Sequence, residues 1–124
     1  MEIKQVVISH DGTTRHLDGV TTAIERGKIT TIIGPNGCGK STLLSVMARN
    51  SHPLEGQAQL ENKDLVEYRP KEFAKKFAIV YQQNDIPSDL SVEKLVGYGR
   101  MPHSVLFKKK TIEDEVAITW ALTC

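Results

Sequence analysis

Apolar and β-branched residues fall in short bursts along this chain, separated by glycine, proline and asparagine, and the period of each burst predicts its element. Residues 2–9, rich in Val and Ile, read as a strand, followed by a turn at Asp11-Gly12. Residues 20–25 form a second strand candidate, closed by Arg26-Gly27. Residues 28–33 (KITTII) are β-branched with no polar alternation, the pattern of a buried strand in a parallel sheet. Residues 40–50 switch to helical spacing, with Leu43, Leu44, Met47 and Ala48 on one stripe. A turn at 52–56 leads to a weak strand at 57–61 and a hairpin turn at Asn62-Lys63. Pro70 opens a short helix to residue 76, and 77–81 (FAIVY) reads as another buried strand. After a polar loop at 82–90, Ser91 caps a helix over 92–98. Residues 99–110 are irregular. Thr111 to Asp114 resembles a capping box with Asp at its third helical position, and the helix it opens puts Ile112, Val116 and Trp120 on one face, with Ala117, Ala121 and Cys124 beside them.

Between the strand at 28–33 and the helix at 40–50 lies Gly34-Pro35-Asn36-Gly37-Cys38-Gly39-Lys40-Ser41-Thr42, which fits G-x-x-x-x-G-K-[ST]. A triphosphate offers many acceptor oxygens, and successive backbone N–H groups reach them only where the chain wraps closely. Glycine permits that wrap. The helix that follows adds its N-terminal amides and the positive end of its dipole. Lys40 is expected on the β- and γ-phosphates, the Ser41 hydroxyl on Mg²⁺, and Thr42 toward the α-phosphate. The motif by itself allows kinases, GTPases and ATPases.

Composition adds exclusions. Of 124 residues, 40% are hydrophobic and 25% charged, which is globular rather than disordered or fibrous. A net charge of +1 gives no basic stripe for nucleic acid. Cys38 and Cys124 match no zinc or redox spacing, so a reducing cytosol fits. The first residues lack the basic region and apolar core of a signal peptide, and no apolar run approaches the ~20 residues of a membrane helix. A link to a membrane is therefore expected through a partner. His16, His52 and His103 are scattered and form no metal set. The lysines at 108–110 read as a solvated charge run, and Asp114 and Glu115 as a solvated helix start favoured by the dipole.

The string GPNGCGKSTLL, preceded by KITTIIG, resembles the ATPases of ABC transporters. The stretch from Phe77 to Gln82 is similar to the strand that ends in that family's Q-loop glutamine, so Gln82 is the matching residue, with Gln83 beside it. The resemblance implies that Gln82 ligates Mg²⁺ or orients the attacking water, and links the nucleotide to the transmembrane partner. VEKLVGYGRMPH (residues 92–103) resembles a segment of the ATPases that serve iron-siderophore, haem and cobalamin importers. Two positions depart from the family pattern. His10 stands where a Tyr usually stacks on adenine, leaving open whether it stacks or is a surface turn histidine, and Tyr81 stands where Pro often precedes the glutamine.

The fold expected from the resemblance is α/β, a P-loop NTPase core with an antiparallel β subdomain, truncated within the helical subdomain. Residues 1–89 would carry the β subdomain and core, and 90–124 the start of the helical part. The family's LSGGQ signature, Walker B carboxylates, D-loop and switch histidine would lie beyond Cys124, so this stretch is expected to bind ATP and Mg²⁺ without turnover of its own. Transmembrane permease subunits and a second ATPase subunit are the implied partners, at the cytoplasmic face of the membrane, with no nucleic acid. Two alternatives stay open: a soluble ABC protein that uses ATP as a conformational switch, and a P-loop kinase or GTPase.

Overall fold

The computed structural model describes residues 1–9, 13–83, 87–104 and 110–124. They form two compact units, Met1–Arg69 and Pro70–Cys124.

The first unit is built on a four-stranded antiparallel sheet in the order β2-β1-β3-β4, where β1 is Glu2–Ser9, β2 Arg15–Ala23, β3 Glu55–Leu60 and β4 Lys63–Asp64. The first strand lies where the apolar run predicts it. The second starts at Arg15, earlier than the apolar residues at 20–25 suggest, because pairing with β1 sets its length: Glu2 faces Ala23 and Ile8 faces Leu17. β1 does not alternate cleanly. Gln5 takes φ 50° and the ladder shifts register there, so Val6, Val7 and Ile8 are buried in succession. β3 crosses that bulge at Gly56, where an added Cβ would lie 2.2 Å from the Gln5 carbonyl oxygen, so no side chain fits. The β3–β4 turn is centred on Glu61 and Asn62, both at positive φ, one residue before the predicted pair.

Helix α1, Lys40–Met47, buries Leu43, Val46 and Met47. Together with Ile3, Val6, Val7, Ile8, Leu17, Ala58, Leu65 and Tyr68 they form the core of this unit. Each such aliphatic side chain contributes roughly 1.5–3 kcal/mol on burial. Arg49, at φ 62°, ends the helix and donates from Nη1 to the Tyr68 carbonyl at 3.0 Å, while the Tyr68 hydroxyl donates to the Leu60 carbonyl at 2.7 Å.

Two predicted strands are not formed. Residues 28–33 and 77–81 carry no strand, and Ile29, Ile33 and Val80 are 98%, 86% and 89% exposed. A buried parallel strand exists only through neighbours that take up its hydrogen bonds and cover both faces. Among the described residues no strand pairs with either segment. The α/β core expected from the motif is thus represented by its phosphate loop and α1, beside an antiparallel sheet.

The second unit holds α2 (Pro70–Ala74), α3 (Val92–Tyr98), a 3-10 turn at Met101–His103 and α4 (Ile112–Thr123). Phe73 and Phe77 stack with centroids 5.0 Å apart at the end of α2, which stops two residues short of its predicted limit. Ser91 caps α3 as expected, accepting from the Lys94 amide. α4 packs on α3 through Ile118, whose Cδ1 lies 3.6 Å from the Cβ position of Gly97. The stripe of Ile112, Val116 and Trp120 stays exposed instead.

The reading of Asp114 as a solvated residue is overturned: it is 5% exposed. The capping box explains its position. Its Oδ2 accepts from the Thr111 amide at 3.0 Å and the Thr111 hydroxyl at 2.9 Å, while Thr111 Oγ1 accepts from the Asp114 amide. Its Oδ1 accepts from Arg100 Nε at 2.7 Å. A buried carboxylate is tolerated because both of its oxygens find donors. The Thr111 backbone donor first, and then Arg100 and the Thr111 hydroxyl, bring its pKa down to about 2. Glu115 remains exposed, as expected of a first-turn acid.

Candidate functional site

The loop from Gly34 to Thr42 leads directly into α1. Gly39 is the N-cap at φ 92°, ψ 5°, a left-handed conformation that favours glycine. Its site is also crowded, because an added Cβ would sit 2.8 Å from both the His16 carbonyl oxygen and Leu17 Cδ2 of β2. β2 therefore braces the start of α1, and that brace holds the mouth of the helix in place. Gly37, at φ 81°, supplies the other left-handed turn of the loop, with open space around it.

No side chain caps α1, and its first turn holds no acid. The first backbone bond into the helix runs from the Leu43 amide to the Gly39 carbonyl at 2.9 Å. The amides of Lys40, Ser41 and Thr42 precede that bond, so they are donors that an α-helix cannot satisfy internally. They sit at the positive end of the helix dipole, the arrangement that binds phosphate.

Lys40 curls back over the loop. Its Nζ donates to the carbonyls of Gly34 at 2.7 Å and Pro35 at 2.6 Å, and lies 3.7 Å from Cys38 Sγ. The Cys38 amide donates to the Pro35 carbonyl, closing a tight turn across Asn36 and Gly37. Pro35, Asn36, Gly37, Cys38 and Ser41 are exposed, as is Gly34, while Gly39, Lys40 and Thr42 are half-buried. Ser41 is thus accessible on the first turn of α1. This donor set fits Mg-nucleotide: amides and Lys40 suit phosphate oxygens, and a hydroxyl oxygen suits a hard cation that keeps most of its waters.

Of the residues predicted for the site, the nine from Gly34 to Thr42 come together in one loop of the first unit. Gln82 belongs to the second unit and is exposed in the irregular stretch after α2. His10 lies outside the described residues. The brace by His16 and Leu17 has no counterpart in sequence reasoning, because the motif describes the loop and not the strand beneath it. Among the described residues no group of His, Cys, Asp and Glu could hold a metal ion by side chains alone. No described helix is long and apolar enough to cross a membrane.

The loop lies within a stretch that matches known proteins. The model of the ABC transporter family matches residues 17–122. The chain is 43% identical over 106 residues to the iron(3+)-hydroxamate import ATP-binding protein of Bacillus subtilis (strain 168), covering 86% of this chain and 39% of that protein. It is 41% identical over 105 residues to the ferric enterobactin transport ATP-binding protein of Escherichia coli (strain K12), covering 85% and 39%. It is 41% identical over 107 residues to the petrobactin import ATP-binding protein of Bacillus subtilis (strain 168), covering 86% and 42%. The chain therefore spans about two-fifths of the length of these relatives. The match takes in the phosphate loop, Leu17 of the β2 brace, α1, α2, α3 and nearly all of α4, and by it the chain belongs to the ABC transporter family.

Proposed function

We propose that this chain binds Mg-ATP as part of the energy-coupling ATPase subunit of an ABC importer, with an iron-siderophore, haem or cobalamin as cargo class. The observation that carries the binding is the loop itself: the uncapped start of α1 carries the Lys40 ammonium, folded over the loop carbonyls, and the exposed Ser41. The cargo class is supported by the relatives, whose names are those of ferric hydroxamate, enterobactin and petrobactin transport proteins.

In this reading Lys40 exchanges its two loop carbonyls for the β- and γ-phosphate oxygens. Because both sets of partners are oxygens within reach of one flexible ammonium, the exchange asks for rotation of a side chain and no refolding. The amides of Lys40, Ser41 and Thr42 hold the phosphates, with Gly34, Pro35, Asn36, Gly37, Cys38 and Gly39 shaping the wrap, and the Thr42 hydroxyl turns toward the α-phosphate. Ser41 and Gln82 supply oxygens to Mg²⁺, which when bound neutralises the charge that builds on the transferred phosphate. Gln82 also positions the water and relays nucleotide state to the permease. His10 offers a ring to adenine. Lys40 and Gln82 are thereby assigned to catalysis in the longer protein, where a second ATPase subunit faces this one and permease subunits hold both at the cytoplasmic face of the membrane. The division into a β subdomain and core over 1–89 and a helical part from 90 belongs to the same proposal.

Titration of a fluorescent ATP analogue with and without Mg²⁺ tests the binding. Lys40→Ala removes charge-assisted contacts worth about 1.5–3 kcal/mol. We expect its Kd to rise roughly 10- to 150-fold. Equal affinity in the variant and the parent chain would sink the proposal.

A further inference from the structure

We draw no further inference here: the strongest candidate, the cavity of about 480 Å³ between α3, the Met101–His103 turn and α4, lined by Lys94, Tyr98, Arg100 and Ile118 among others, carries nothing because nothing in the structure shows what covers it.

Discussion

At the scale of single residues, Gly39 and Lys40 separate two requirements that the motif merges. On the proposed function Lys40 serves by its charge and reach, so its replacement should act on binding and leave the fold intact. Gly39 is needed for its shape. At φ 92°, with the His16 carbonyl and Leu17 Cδ2 each 2.8 Å from the Cβ position, alanine there is strained and crowded, and the His16 backbone cannot step aside. We expect Gly39→Ala to cost about 1–3 kcal/mol of stability. It should also weaken nucleotide binding by displacing the first turn of α1. Thermal unfolding of the two variants distinguishes the cases: Lys40→Ala should melt with the parent chain and Gly39→Ala below it. A Gly39→Ala protein with unchanged melting and unchanged affinity would show that β2 does not brace the loop. On the proposed function Ser41→Ala would remove a single Mg²⁺ ligand, so its loss of affinity should appear with Mg²⁺ present and vanish in EDTA.

At the scale of elements, the start of α4 depends on one carboxylate. Asp114 closes the capping box and pairs with Arg100 beyond the end of α3, so it joins two helices that are separated in sequence. Removing the Thr111 hydroxyl by Thr111→Ala deletes one side of the box, and N-cap losses of this kind cost about 1 kcal/mol. Thr111→Ser should restore most of it, since the serine hydroxyl reaches the same amide. The pH response has a definite sign. Asp114 has a folded pKa of about 2 against an ordinary 3.8, so the unfolded chain binds this proton more readily than the folded one. Its stabilising contribution is complete above 3.8 and is lost as the pH falls from there through 2. Urea unfolding followed across that interval should show a steeper fall for the parent chain than for Asp114→Asn, which has no such proton to gain. Parallel curves would mean that Asp114 is not held as a carboxylate by Thr111 and Arg100.

For the molecule as a whole, the distribution of apolar surface governs behaviour in solution. Ile29, Ile33 and Val80 are nearly fully exposed, and α4 adds the stripe of Ile112, Val116 and Trp120 at 81%, 64% and 69%. Large apolar side chains left exposed in this way promote association. A net charge of +1 supplies little repulsion to oppose it. We expect the 124-residue chain to self-associate with rising concentration, and light scattering over a dilution series reads this directly. A single-chain species at every concentration, with a cooperative melt above ~60 °C, high for a mesophilic domain, would contradict it.

Local chemistry made several features legible in the sequence. The phosphate loop is encoded by residue types close together in sequence: glycines at the left-handed positions, a lysine and two hydroxyls opening a helix. The caps at Ser91 and Thr111 are similarly local, since each side chain reaches an amide only three residues on. α1 and α3 followed from short-range spacing, and β1 from an apolar run. The rest depended on partners distant along the chain. KITTII and FAIVY have the composition of buried strands, yet a strand is a property of the pair, and composition cannot supply the neighbour. The start of β2 at Arg15 comes from pairing with β1, and the consecutive burial of Val6, Val7 and Ile8 from the bulge at Gln5 under Gly56. Asp114 reads as a surface acid until Arg100, fourteen residues earlier, is brought against it. Motif, cap and helix spacing are decided within a few residues, where geometry is fixed by covalent connection. Burial and pairing are decided by which surfaces meet, and only the tertiary structure determines that.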